Sequence, residues 1–428
     1  MSNVISKLYE KYLACGAVCT DTRQIIEGSI FFALKGPTFN ANTFADEALQ
    51  KGAAYVVVDE PQFAKGEKYF LVDDGLKALQ QLASHHRQQL KIPVVGLTGS
   101  NGKTTSKELL SSVLSKKFKT FATKGNLNNH IGVPLSILSI NSSVEIAIIE
   151  MGANHVGEIA ELSKIANPTH GFITNIGKAH TGMFGGFENV IKAKSELYEH
   201  LISNQGQVFI NSQNPILNNM ANRFQSPLFY PRKGDYYHAE FISADPFIKF
   251  KVEDGNVVET QLIGAYNFEN IASALCIGKF FGVDAALANQ AIAEYKPENM
   301  RSQIVKKETN TIILDAYNAN PSSMIAAIEN LSLMNVKSRI LILGDMFELE
   351  NAEAEHAAIG KFIHDKEIEN IYLVGNYFRA AMDELPNAKH FQDKQSLIDE
   401  LKSNPISNST ILVKASRGIG LESILDFL

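Results

Sequence analysis

Residues 98–105 read TGSNGKTT. Glycines beside a lysine and a hydroxyl residue are what a phosphate site requires. The glycines free backbone N–H groups to point at an anion, Lys103 would reach the β- and γ-phosphates, and the Thr104 hydroxyl would ligate Mg²⁺. The spacing departs from the usual G-x-x-x-x-G-K-[ST] loop. Counting back from Gly102, Lys103 and Thr104, the first glycine should stand at position 97, which is Leu97. The flanks still fit, because an apolar run from Ile92 to Leu97 predicts a strand before the loop. Leu109, Leu110, Val113 and Leu114 mark one apolar face of a helix after it. Strand, loop, Lys-Thr and helix together point to a nucleoside triphosphate.

A triphosphate site needs oxygen ligands for its metal, and these emerge at the carboxyl ends of neighbouring parallel strands. The run from Val144 ends on Glu150, an acid placed where such a strand opens. A strand over Gly171 to Asn175 is followed five residues later by His180. Lys194 stands in IKAKSELY. Spacing alone leaves His180 open between a metal ligand and a structural histidine, and Lys194 between a site residue and a solvated helix face.

The elements that must position these groups alternate between apolar β-rich runs and helical-period runs, the pattern of an α/β protein. Strands are predicted at Ala54 to Asp59, Val94 to Thr98, Val144 to Ile149, Gly171 to Asn175, Thr311 to Asp315, Arg339 to Gly344, Ile371 to Gly375 and Thr410 to Lys414. Helices are predicted at Ala45 to Lys51 and Ser106 to Lys117. At 428 residues the chain is long enough for several domains, and the best cuts fall near 90 and near Lys296-Pro297. A net charge of −6 carries no electrostatic footprint for nucleic acid or an anionic membrane. Cys15, Cys19 and Cys276 are too few and scattered for a disulfide framework or a zinc site. The N-terminus reads as neither signal peptide nor membrane span, so a reducing cytoplasm is the expected setting.

Several segments carry a resemblance: TGSNGKTT itself, KGNLNNHIGVPLSIL from Lys124, IIEMGANHVGEIAEL from Ile148 and TNIGKAHTGMFGGFENVIKAKSELYE from Thr174. With TDTRQIIEGSIFFALKG near the N-terminus, LDAYNANPSSM from Leu314, LILGDMFELE from Leu341 and LVKASRG from Leu412, the chain resembles the Mur ligase family of ATP-dependent amide-forming enzymes. In that family the off-register loop is the normal form. The resemblance implies three domains: a smaller N-terminal α/β domain for a UDP sugar (1–90), a central P-loop-type ATPase domain with a mostly parallel sheet (91–297), and a C-terminal Rossmann-like domain for the amino substrate (298–428). It implies a monomer that joins D-alanyl-D-alanine to UDP-N-acetylmuramoyl tripeptide through an acyl phosphate, using ATP and Mg²⁺.

Position by position, the resemblance implies that Gly99, Ser100, Asn101, Gly102, Lys103, Thr104 and Thr105 hold phosphates. Thr104 and Glu150 would hold one magnesium, and His180 with a carbamylated Lys194 a second. Asn267 and Asn270 match the segment near adenine, while Arg301 and Asp315 match positions that grip phosphate and ribose. Thr22, Arg23, Lys35 and Gly36 match the UDP side, although Asn40 and Asn42 stand where related ligases commonly carry Asp and His. Asn318, Asn320, Ser416 and Arg417 lie in C-terminal motifs expected to face the cleft. Another Mur ligase or a folylpolyglutamate-type ligase, or a protein that holds ATP without making a bond, stays open on sequence alone.

Overall fold

The computed structural model describes residues 3–177, 181–366, 368 and 370–428. The chain folds into three consecutive α/β units. In the first, strands β1 (Val18–Cys19), β2 (Ile30–Phe32), β3 (Tyr55–Val58) and β4 (Tyr69–Leu71) form a parallel sheet in the order β1-β2-β3-β4. Ile30, Phe31, Phe32, Val56, Val57 and Val58 are all buried. Such unbroken apolar runs are expected of parallel strands covered on both faces. Helix α1 (Asn3–Cys15) and helix α2 (Gly75–Gln89) share one core with residues of the next unit, Leu79 and Leu82 packing with Val133, Ile137 and Leu162. Arg87 adds a polar tie. Its Nε donates to Ala166 O at 2.9 Å and an Nη to Asn167 O at 3.0 Å, capping a helix C-terminus with a cation.

The second unit carries β5 (Val94–Thr98), β6 (Thr120–Ala122), β7 (Ile146–Glu150), β8 (His170–Ile173), β9 (Gln207–Asn211) and β10 (Leu228–Tyr230) in the order β10-β9-β8-β5-β7-β6. Every pairing is parallel. The chain leaves β5, turns to one side for β6 and β7, then crosses to the other side for β8. The exit of β5 is therefore the topological switch point, where an open parallel sheet leaves a crevice for ligand. Helix α3 (Lys103–Leu114) follows β5; α4 (Glu158–Ala166), α5 (Phe187–Ser203) and α6 (Asn267–Phe280) pack on the same sheet. Leu97 sits fully buried mid-sheet, in register with Glu150 on β7 and Phe172 on β8. It belongs to the strand core rather than to the loop.

Between β10 and α6 lies an antiparallel sheet of β11 (Ala239–Ala244), β12 (Phe247–Val252) and β13 (Val257–Ile263). The sequence reading did not place it, yet its signal is present: Ile248, Phe250 and Val252 are buried while Lys249 and Lys251 alternate outward. The third unit holds β14 (Gln303–Lys307), β15 (Asn310–Asp315), β16 (Arg339–Gly344), β17 (Asn370–Val374), β18 (Lys389–Phe391) and β19 (Thr410–Lys414), ordered β14-β15-β19-β16-β17-β18. Only the edge pair β14–β15 is antiparallel. Helix α7 (Pro321–Leu333) starts behind a capping box formed by Asn320 and Ser323. Among the described residues, no helix is long and apolar enough to cross a membrane.

Candidate active site

The loop between β5 and α3 is shaped by two glycines. Gly99 has φ 151°, and a Cβ there would lie 1.9 Å from Thr174 Oγ1 at the exit of β8. Gly102 has φ 74° and serves as N-cap, so α3 starts at Lys103 rather than at Ser106 as the apolar spacing implied. A Cβ on Gly102 would meet Asn270 Oδ1 at 2.7 Å. The loop is also propped from the side. Asn101 N donates to Asn175 Oδ1 at 3.0 Å, Thr174 Oγ1 donates to Asn101 O at 2.6 Å, and Gly177 N donates to Ser100 Oγ at 2.9 Å. The first-turn N–H groups of α3 have no intrahelical acceptor and open toward the crevice. Gly99→Ala is expected to cost about 1–3 kcal/mol, through overpacking and backbone strain, and to weaken binding of an ATP analogue at least about tenfold. Thermal melting and calorimetry check this against Gly36→Ala, where a Cβ would meet open space.

Lys103 donates to Gly99 O at 2.6 Å and Ser100 O at 3.1 Å, folding its ammonium over the loop. Desolvation, reinforced by the Arg301 charge and opposed by Glu150, lowers its pKa to about 8. Thr104 Oγ1 lies 3.4 Å from Glu150 Oε1, which also accepts from Asn128 Nδ2 at 2.8 Å. Glu150 is buried, and its Oε2 has no hydrogen-bond partner; the nearest cation is Lys107 Nζ at 3.8 Å. A buried carboxylate oxygen left unpaired is costly unless a cation meets it. A threonine hydroxyl beside such an oxygen fits Mg²⁺, a hard ion that takes few protein ligands and completes its shell with phosphate and water. Among the described residues no three His, Cys, Asp or Glu side chains converge on a metal position. His180 lies outside the described residues.

Lys194 is buried on α5, 2% exposed, with Nζ 3.4 Å from Ala153 O and 5.2 Å from the centre of the Phe184 ring. The solvated-face alternative for this lysine is therefore excluded. Burial lowers its pKa to about 7, and the Lys103 charge pushes the same way against Glu158 and Glu196. Glu196, two residues on, accepts from Gly157 N at 2.6 Å and Ala160 N at 2.9 Å, pinning the start of α4 to α5.

The phosphate loop and Glu150 face one cavity of about 830 Å³, walled on the far side by the third unit; Lys194 is not among its lining residues, although its neighbour Ala153 is. Ser100 to Thr105, Glu150, Asn267, Asn270, Arg301, Asp315, Asn318 and Asn320 all line it. Asn270 and Asn267 act mainly as a brace. Ser106 Oγ donates to Asn270 Oδ1 at 2.9 Å, Asn270 Nδ2 to Asn267 Oδ1 at 2.8 Å, and Asn267 Nδ2 to Ile263 O at 2.9 Å. The Arg301 guanidinium stacks 3.9 Å from the Tyr317 ring centre, and its buried Nε has no partner. Asp315 accepts from Ser302 N at 3.2 Å and forms a 2.5 Å ion pair with Lys414. Sequence reasoning passed over Tyr317 and Lys414. A lysine ending the buried run TILVK is a usable signal, since an ammonium 1% exposed requires a partner.

The remaining predicted residues lie elsewhere. Ser416 and Arg417 do not line the cavity. Ser416 was expected to face the cleft, but it is buried and its hydroxyl accepts from Phe347 N at 2.9 Å. Arg417 approaches the Tyr317 ring at 5.1 Å. Thr22, Arg23, Lys35 and Gly36 belong to the first unit, outside this cavity; Arg23 pairs with Asp21 at 2.6 Å and Lys35 with Asp59 at 3.1 Å. Asn42 is fully buried, donating to Asp59 Oδ1 at 2.8 Å and accepting from Asp59 N at 3.0 Å, while Asn40 donates to Glu60 at 2.8 Å. The two asparagines thus shape the loop that holds Lys35.

A glycine-shaped strand–loop–helix turn at the switch point of one parallel sheet thus faces a second α/β unit across a single cavity. The chain belongs to the Mur ligase family: residues 97–278 match the Mur ligase middle domain and residues 300–417 the Mur ligase, glutamate ligase domain. It is 34% identical to the UDP-N-acetylmuramoyl-tripeptide--D-alanyl-D-alanine ligase of Bacillus subtilis, over 97% of this chain and 93% of that protein. Its structure superposes on MurF from Acinetobacter baumannii with a TM-score of 0.86 and 31% identity, covering 96% and 92% of the two chains. MurF ligase from Thermotoga maritima in complex with ADP gives 0.85 and 27%, covering 100% and 98%.

Proposed function

We propose that this chain is an ATP-dependent ligase that joins D-alanyl-D-alanine to the free carboxylate of UDP-N-acetylmuramoyl tripeptide, giving the pentapeptide, ADP and phosphate. The observation that carries the reading is the single cavity, in which a phosphate loop faces Arg301, Asp315 and Asn318 from another unit. Full-length similarity to ligases of that name supports the substrate pair. The working division is 1–90 for the UDP sugar, 91–297 for ATP and 298–428 for the dipeptide, with the sheets as its support. A monomer in the cytoplasm completes the reading.

A carboxylate is a poor electrophile, so its oxygen first attacks the γ-phosphorus of ATP and ADP leaves. The amine of the dipeptide then attacks the resulting acyl phosphate, an amide bond forms, phosphate departs and the amine gives up a proton. Lys103 exchanges its loop carbonyls for phosphate oxygens and holds an ammonium against the charge that moves. Arg301, stacked on Tyr317 with an unpaired N–H, offers a second cation from the opposite wall. Mg²⁺, held by Thr104 and Glu150 and at a second position by His180 and a carbamate on Lys194, would supply charge neutralisation on the phosphate oxygens. Asn318, exposed in the cavity wall, is available to the incoming dipeptide, and Thr22, Arg23, Lys35 and Gly36 to the UDP end.

Incubation with ATP, UDP-N-acetylmuramoyl tripeptide and D-alanyl-D-alanine tests this. Pentapeptide formation coupled to phosphate release is expected, and ATP binding without turnover on any amine would sink the reading. Arg301→Ala is expected to lower kcat by about 10²- to 10³-fold, because a cation is lost from the phosphoryl-transfer step. Stability should change by less than about 1 kcal/mol, the loss of one stacking contact. Steady-state kinetics and thermal melting separate the two effects.

A further inference from the structure

Asn320 serves two elements with one amide. Its Oδ1 accepts from Ser323 N at 2.9 Å, and its backbone N–H donates to Ser323 Oγ at 3.0 Å, which starts α7. Its Nδ2 donates to Asn101 Oδ1 at 2.7 Å, across 219 residues of chain and onto the phosphate loop itself. The backbone of Asn101 is held at the exit of β8 by Thr174 and Asn175. The units also meet nearby, where a Cβ on Gly177 would come 3.1 Å from Ser322 Oγ, and where Gly182 N donates to Glu348 O at 3.3 Å. An amide whose oxygen and one N–H are already engaged is poorly placed to read a dipeptide.

We infer that Asn320 is a positioning residue, a latch that couples the closed placement of the third unit to the phosphate loop. The bond forms only when the units are together. It therefore links the loop that receives the triphosphate to the wall that carries Arg301 and Asn318, and ATP bound on a latched loop favours closure. The sense of this coupling rests on the ligase reading above, while its experiment reads shape and affinity apart from bond formation.

The test separates the two duties of the amide. Asn320→Ser keeps an N-cap acceptor but is too short to reach Asn101, so the melting temperature should stay near that of the native chain. Loss of one neutral hydrogen bond should raise KM for ATP by about three- to tenfold and reduce, by a similar factor, the closed fraction seen by small-angle scattering with an ATP analogue and both substrates. Asn101→Ala should act in the same direction, and the double variant should be no worse than the poorer single variant. Strictly additive losses, unchanged scattering in Asn320→Ser, or a rise confined to KM for D-alanyl-D-alanine would each overturn the latch. Failure of the ligase reading is distinct: the native chain would compact with the ATP analogue yet form no pentapeptide.

Discussion

Lys194→Ala is expected to turn over about 10³-fold more slowly than the native chain, and to regain part of that rate with added formate or acetate. The ground is geometric. An amine 2% exposed sits against Ala153 O and the Phe184 ring, within reach of the Lys103 charge, where an ammonium would repel a divalent cation. Burial and the Lys103 charge hold its pKa near 7, so much of it is free amine at neutral pH. Free amine adds CO₂, releasing a proton and leaving a carbamate, an oxygen anion of the kind magnesium prefers. The sign follows: acidification below about pH 7 protonates the amine, disfavours the carbamate and slows the enzyme. Carbon-13 spectra of protein held in labelled bicarbonate should show a carbamate signal that Lys194→Ala lacks. Full activity in that variant, or no such signal in the active native chain, would return Lys194 to a packing role.

Lys103→Met is expected to weaken ATP-analogue binding and to lower kcat by about 10²- to 10⁴-fold, because the methionine keeps the unbranched apolar stem of the side chain and removes the ammonium. The lysine amine stands at a pKa of about 8 before nucleotide arrives. Phosphate charge raises that value on binding, so above pH 8 binding takes up a proton. Affinity then falls by up to about tenfold per pH unit as pH rises. In Lys103→Met this slope should vanish. Calorimetry in two buffers of different ionisation enthalpy counts the proton directly, and an unchanged pH slope in the variant would remove Lys103 from the phosphates.

What the sequence determined by itself is local. TGSNGKTT specified a strand–loop–helix because glycines at two loop positions, a lysine and an apolar helix face act over a few residues. The predicted strands Val94–Thr98, Arg339–Gly344 and Thr410–Lys414 coincide with the observed ones, since buried parallel strands are continuous apolar runs. Lys194 and His180 had no such local signature, and family resemblance supplied what spacing left open. The tertiary structure alone decided that α3 begins at Lys103 behind Gly102, that Ser416 turns inward, that Lys414 neutralises Asp315, and that Asn320 reaches Asn101. The physical reason is range. Periodicity reports neighbours two to four residues apart, whereas the cavity is assembled from strand ends and helix starts of separate units, and which side chains meet there depends on how those units pack.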